Sequence, residues 1–338
     1  MQGARITAIG SYVPARKLTN SDLEQIVETS DEWIVQRTGI RERRISRPEE
    51  FTSDLCVAAA ADLFRRYGKS AAEIDMVLVA TSTPDFPFPS VASILQHRLG
   101  IPTSAGVLDM SAACAGFVYA LHTAHAYIAS GLHRCVLVVG ADALSKITDY
   151  SDRSTCILFG DGAGAVLVEA KEEGEPDDFR GFHLGSDGGG AQHVYRTGLA
   201  STVNEVRLTD TGKLVQNGRE VFRWAVRTVP QGVEQTLARS GAAIEEVNWL
   251  IPHSANLRIL EPVCDKLGYP LEKTLYSLEY FGNTSAASIP LALDLGIRAC
   301  KVQNGQQVLL YGFGAGLTHA GQLLKLSLDP QVSVPEPL

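Results

Sequence analysis

A chain of 338 residues with 45% apolar and 20% charged side chains has the balance of a globular protein with a large core, built as two fused domains or one large α/β unit. Its net charge of −8 does not favour nucleic acid or an anionic membrane as partner, and no apolar run approaches the roughly 20 residues that span a bilayer. The six cysteines are scattered, without CxxC or metal-ligand spacing, as expected of buried free thiols in a reducing compartment.

The opening MQGARITAIGSYVP lacks a basic start, an apolar core and a cleavage site, so no signal peptide is expected and a cytoplasmic location follows. Helix-period stretches are read at Ser53 to Tyr67, Gly116 to Ser130 and Val221 to Ser240. Between them lie strand-type runs: Ile74 to Thr81, Cys135 to Gly140, Gly162 to Glu169, Val247 to Ile251 and Gln307 to Tyr311. Strands alternating with helices predict an α/β fold with buried sheets. Two glycine-rich runs, Phe159 to Ala165 and Tyr311 to Leu317, suggest an internal duplication. Neither has the full glycine spacing of a dinucleotide site. The Gly-, Thr- and Asn-rich stretch from Gly185 to Gly218 reads as a long excursion, and the chain after Leu328 as a fraying tail.

Three residues stand out chemically. Cys114, in LDMSAACAGF, sits between an apolar stretch and a helical stripe. A helix start there would stabilise a thiolate, and the neighbouring Ala and Gly would let a substrate approach the sulfur. Taken alone, the residue fits a small core thiol equally well. His253 ends the apolar run WLIPH, where α/β enzymes place chemistry, although capping or core packing would also account for it. Asn283, in YFGNTSAAS, precedes a helical run from Ile289 to Ala299 and could simply cap it.

Taken together, ACAGF, HSAN at His253 to Asn256 and GNTSAAS at Gly282 to Ser288 resemble the β-ketoacyl-acyl carrier protein synthase III family of thiolase-like condensing enzymes. The resemblance runs nearly end to end, through Asp31 to Ile34, Arg37 to Arg41, Phe88 to Ser90 and Gly312 to Gly316. It implies two duplicated α/β halves in a five-layered α-β-α-β-α architecture, with residues 1–175 carrying the cysteine, 176–330 carrying His and Asn, and 331–338 a tail.

The resemblance also implies roles. Cys114 would take an acyl group from acyl-CoA; His253 and Asn283 would stabilise the enolate formed when malonyl-acyl carrier protein loses CO2. The backbone N–H groups of Cys114 and Ala315 would hold the acyl-transfer oxyanion. Ala315 stands where the family commonly has glycine, and Ser254 where many members have glutamine. Trp33, Arg37 and Arg153 would hold coenzyme A, which is a substrate; no cofactor or metal is implied. Without the family, Trp33 reads as a helix anchor and Arg153 as a solvated charge. Arg223, Arg258 and Lys266 would meet the acidic carrier protein. Phe88 would reach from a partner subunit to gate the acyl pocket, implying a homodimer. The alternative within this fold is a Cys-His-Asn acyltransferase or condensing enzyme of secondary metabolism. A papain-like hydrolase is a second alternative, but the CGSCW-type signature is absent and the strand–helix alternation is wrong for it.

Overall fold

The computed structural model describes residues 2–334 and 338; residues 335–337 of the expected tail lie outside them. The first half forms a sheet from β1 (Ala4–Tyr12), β2 (Met76–Ala80), β3 (Gly106–Met110), β4 (Cys135–Ala143) and β5 (Asp161–Ala170), in the spatial order β1-β5-β4-β2-β3. The second half forms another from β6 (Phe179–Ser186), β7 (Trp249–Pro252), β8 (Gln307–Gly314) and β9 (Thr318–Lys325), ordered β7-β8-β9-β6. Thr274 adds a parallel bridge to Leu250 at the free edge of β7, where β3 lies in the first sheet. The pairing senses also match: β2–β4 and β7–β8 are parallel, while β4–β5, β5–β1, β8–β9 and β9–β6 are antiparallel. The two halves therefore share one topology.

Of the nine α-helices among the described residues, six complete the framework: α1 (Asp31–Thr38), α2 (Thr52–Tyr67), α3 (Gly116–Ala129), α4 (Gly218–Ser240), α5 (Leu257–Leu267) and α6 (Ser288–Arg298). Helices α3 and α6 lie between the sheets and touch both; α2 covers the outer face of the first sheet, and α4, with α5 against it, that of the second. The layers run α-β-α-β-α. Strands β2 and β4 are buried along their whole length, which is why they read as continuous apolar runs rather than alternating ones.

The expected helices and the five expected strands form within a few residues of their predicted bounds. Strands β1, β6 and β9 were not expected. Their strand signal is diluted by small and polar residues that packing requires. A Cβ on Gly181 of β6 would sit 2.7 Å from the Thr236 carbonyl of α4, and one on Gly10 of β1 would sit 2.3 Å from the Leu63 amide of α2. In β9, buried Gln322 donates through Nε2 to the carbonyls of Gly181 (2.9 Å) and Leu323 (2.8 Å).

The glycine-rich echo is not the trace of the duplication. Phe159 to Ala165 leads into β5, whose counterpart is β9; Tyr311 to Leu317 ends β8, whose counterpart is β4. The true correspondence is carried by strand order and backbone conformation. The excursion after β6 is also more ordered than its composition suggests. It holds a 3-10 turn at Gly188–His193 and two small hairpins, Val194–Arg196 with Leu214–Gln216 and Thr202–Val203 with Val206–Arg207.

Burial in the central layer has a consequence in acid. His122 of α3 contacts the Gly321 carbonyl through Nε2 at 3.2 Å, and burial pushes its pKa down to about 4. The unfolded chain binds a proton near pH 6.5, the folded chain only near pH 4. Stability from this residue is therefore complete above pH 6.5 and falls as the pH drops toward 4. His122→Gln keeps a donor for Gly321 and removes the titration. Chemical denaturation at pH 4.5–7 is expected to show a stability–pH slope shallower than the wild type's by up to about 1.4 kcal/mol per pH unit. Parallel slopes would show that His122 does not carry the acid sensitivity.

Candidate active site

A cleft of about 1220 Å3 opens between the halves, and Cys114, His253 and Asn283 all line it. Each comes from the end of a strand or the start of a central helix. Cys114 lies in the 3-10 turn Ala113–Ala115, between β3 and α3. His253 follows β7 directly. Asn283 precedes the turn Ser285–Ala287, which leads into α6. The two turns share an unusual backbone: Ala113 has φ 46° and Ser285 φ 51°, the left-handed region that non-glycine residues seldom enter. This paired conformation gives each central helix the same entry and sets Cys114 and Asn283 in the same cleft.

The cysteine is packed against a floor of glycine. A Cβ on Gly314 of β8 would lie 2.8 Å from the Cys114 Cβ and 3.1 Å from its sulfur; one on Gly312 would lie 2.8 Å from the Ala115 Cα. The expected thiolate is not the resting state. Burial pushes the Cys114 thiol up to about 12, opposed chiefly by the Ser285 hydroxyl. The partial positive charge at the start of α3 is too small to reverse a desolvation of this size.

His253 is buried at 2% exposure, with its ring edge-on to Phe313 at a centroid distance of 5.2 Å. Desolvation holds its pKa down to about 3, so the imidazole is neutral. Its Nδ1 lies 2.7 Å from Ser288 Oγ, and that oxygen also accepts from the Ser254 N–H at 3.3 Å. With the Ser288 hydroxyl donating to Nδ1, the neutral ring carries its proton on Nε2. Ser254 is part of the same network, accepting from the Ser277 N–H at 2.9 Å. The serine in place of glutamine is thus a buried link that supports the histidine.

Asn283 is held by its backbone to β5's approach: its N–H donates to Leu158 (2.8 Å) and its carbonyl accepts from Gly160 (3.0 Å). Its side-chain oxygen accepts from the Ser285 N–H at 2.9 Å. That bond orients the amide and leaves Nδ2 as a donor with no acceptor among the described residues. The site thus offers two neutral donors, His253 Nε2–H and Asn283 Nδ2–H, beside one protonated sulfur. Such donors stabilise negative charge developing on a substrate oxygen.

Farther out in the same cleft, Arg153 and Arg37 lie 4.3 and 5.5 Å from the Trp33 ring centroid, so the three expected coenzyme A residues are neighbours. Ala315 also lines the cleft, and it is not among the described residues with positive φ, so its methyl meets no backbone conflict. Its carbonyl accepts from Thr318 Oγ1 (2.9 Å), a hydroxyl also placed 3.1 Å from the Ala112 carbonyl, which ties this turn to the one holding Cys114. The three basic candidates are less unified. Arg258 lines the cleft; Arg223 is paired with Glu220 at 2.9 Å beside a second, smaller pocket; Lys266 donates to the Val226 carbonyl at 3.1 Å. Arg219, not singled out from the sequence, lines the cleft with Arg258. Phe88 is 85% exposed and is not part of its own chain's cleft. Sequence reasoning also missed Asp142, Ser285 and Ser288, which are ordinary small or acidic residues until the fold places them under the site.

Known proteins share this sequence and this fold. Residues 108–188 match the family model for 3-oxoacyl-[acyl-carrier-protein] synthase III, and residues 237–326 its C-terminal model. The chain is 59% identical to beta-ketoacyl-[acyl-carrier-protein] synthase III 2 of Halalkalibacterium halodurans, over 97% of this chain and 98% of that one. With the protein of the same name from Bacillus subtilis it shares 53% identity, over 96% and 99%. The crystal structure of the synthase III from Thermus thermophilus superposes with a TM-score of 0.91 at 44% identity, covering 96% of this chain and 99% of that one. Near-full-length identity well above what a shared fold alone requires, together with the common architecture, establishes that this chain belongs to the β-ketoacyl-acyl carrier protein synthase III family.

Proposed function

We propose that this protein is a β-ketoacyl-acyl carrier protein synthase III that starts fatty acid synthesis in two half-reactions. In the first, the Cys114 sulfur attacks the carbonyl of an acyl-CoA, with the N–H groups of Cys114 and Ala315 holding the oxyanion, and coenzyme A leaves. In the second, malonyl-acyl carrier protein enters the cleft. Its thioester carbonyl is held by His253 Nε2–H and Asn283 Nδ2–H. Loss of CO2 leaves an enolate at that carbonyl, and its carbon attacks the acyl-cysteine. The observation that carries this reading is the meeting of a cysteine and two neutral, oriented donors in one cleft. Coenzyme A is a substrate here, and the chemistry calls for no metal or cofactor.

Supporting features extend the reading. Trp33 and the two arginines offer an aromatic face and phosphate partners for the nucleotide end of coenzyme A. Arg258 and Arg219 at the cleft, with Arg223 and Lys266 on the α4–α5 pair, provide local positive charge for an acidic carrier protein despite the net charge of −8. A homodimer is supported by exposed apolar residues: Val107 and Leu108 of β3 at the outer edge of the first sheet, and Phe86 and Phe88. No helix among the described residues is long and apolar enough to cross a membrane; the cytoplasm is the proposed location.

The test is direct. Acyl-CoA plus malonyl-acyl carrier protein should give a β-ketoacyl-acyl carrier protein detectable by mass spectrometry; no such product would sink the assignment. Trp33→Ala is expected to raise KM for acyl-CoA about tenfold, with kcat changed much less, because it removes binding far from the reacting atoms. A fall in kcat with KM unchanged would place Trp33 elsewhere in the cycle.

A further inference from the structure

One arginine that the proposed chemistry does not use is completely buried. Arg43, in the short strand Glu42–Arg44, is 0% exposed. Desolvation brings its pKa down to about 10, so it keeps its charge at neutral pH. Its hydrogen-bond partners among the described residues are neutral. Nε donates to the Ile157 carbonyl at 2.9 Å, Nη2 donates to the same oxygen, and Nη1 donates to Asn20 Oδ1. Asn20 donates in turn to Asp31 Oδ1 at 2.7 Å, so this chain of bonds reaches a carboxylate only through an intervening amide. Burying a cation on neutral partners costs far more than burying an apolar side chain of similar length. What the arginine holds is the backbone that holds Asn283. Ile157 precedes Leu158, whose carbonyl accepts the Asn283 N–H at 2.8 Å, and Gly160, whose N–H donates to the Asn283 carbonyl at 3.0 Å. The Arg43 stem also packs on the two glycines beside this junction. A Cβ on Gly282 would sit 2.9 Å from its Cγ, and one on Gly160 would sit 3.4 Å from its Cβ.

We propose that Arg43 is a positioning residue for Asn283: its fork fixes the Ile157 carbonyl, and the segment from Ile157 to Gly160 fixes the backbone from which the Asn283 amide reaches the substrate oxygen. The inference rests on the decarboxylating reading above and adds a residue to it. A donor to a developing oxyanion works only within a narrow range of distance and angle. Asn283 stands in a turn rather than in a strand or helix, so its aim depends on what the turn is bonded to. Both of its main-chain bonds run to one short segment, and a rigid planar group grips that segment with two N–H donors on a single carbonyl. The other two reacting residues are set differently. His253 follows β7 and is fixed by Ser288, and Cys114 lies in the turn before α3. Among the described residues neither hydrogen-bonds to the Ile157–Gly160 segment. Arg43 therefore acts on one half-reaction, and through one donor.

A double-mutant cycle on the decarboxylating half-reaction tests this, read as CO2 release at saturating malonyl-acyl carrier protein. Arg43→Met keeps an unbranched side chain against the two glycines and removes the fork. In the wild-type background it is expected to lower the rate about tenfold, the cost of a misaimed donor. In the Asn283→Ala background it should lower the rate by no more than about twofold, because the group it aims is gone. Acyl uptake by Arg43→Met at saturating acyl-CoA, followed by intact mass, should stay within severalfold of wild type. A tenfold loss that persists without Asn283, or an equal loss of acyl uptake, overturns the inference, since a general weakening of the fold would produce either. If Arg43→Met does not fold, Arg43→Lys runs the same cycle. One ammonium cannot keep the double grip on Ile157 together with the bond to Asn20, so a loss of about threefold is expected. Wild-type CO2 release by Arg43→Lys, or a loss that persists without Asn283, then overturns the inference. A wild-type enzyme that releases no CO2 would remove the proposed function and this inference with it; an active wild type with additive losses removes the inference alone.

Discussion

Cys114→Ala is expected to lower condensation by at least about 10⁴-fold, because it removes the covalent step itself. Incubation with acyl-CoA followed by intact-mass measurement should show wild type gaining one acyl group and the variant gaining none. The surroundings of the sulfur make this loss hard to bypass. Gly314 and Gly312 bring β8 so close that no other side chain can substitute from that side. Ser285 lines the same cleft, but its φ of 51° and its N–H bond to Asn283 Oδ1 hold it in its turn. A variant that kept an appreciable fraction of condensing activity, or an acyl adduct at another residue in the wild type, would end the assignment of Cys114 as nucleophile.

The resting state of that sulfur is where reading from sequence and the folded molecule part most clearly. A cysteine just ahead of a helix predicts a lowered pKa, because the helix start is local and visible in the sequence. Burial is a property of the assembled site, contributed by β8, the Ser285 turn and the cleft walls, and it acts in the opposite direction and more strongly. The same distinction separates what was legible from what was not. Continuous apolar runs revealed β2 and β4, because a strand buried on both faces needs nothing but apolar residues. Strands β6 and β9 carry glycine and glutamine for contacts with α4 and with each other, and those contacts lie far apart in the chain. Cys114, His253 and Asn283 were legible as a set because each sits in a distinctive local motif. Asp142 and Ser288 act through partners distant in the chain, Ser288 on His253 35 residues away and Asp142 on Ala286 144 residues away, and no local pattern announces them.

His253→Ala and Asn283→Ala are each expected to lower the decarboxylating half-reaction by about 10²- to 10³-fold, the usual cost of losing one oriented donor to an oxyanion. Together they should lower it by less than the product of the two, since both donors bind the same enolate oxygen. Measured as CO2 release from malonyl-acyl carrier protein, the His253-dependent part should be flat from pH 5 to 9. Burial holds the imidazole neutral down to about 3, so no proton is gained or lost at this residue across that range. A rise or fall in rate centred near pH 6.5 and abolished by His253→Ala would mean that the histidine titrates in the complex. It would then act by charge rather than as a neutral donor. The first half-reaction offers the complementary readout. With the Ser288 hydroxyl donating to Nδ1, Nε2 carries the ring proton and His253 takes none from Cys114. Acyl uptake by His253→Ala from acyl-CoA should therefore stay within severalfold of wild type. Loss of acyl uptake on the scale of the decarboxylation defect would make the histidine the base for Cys114.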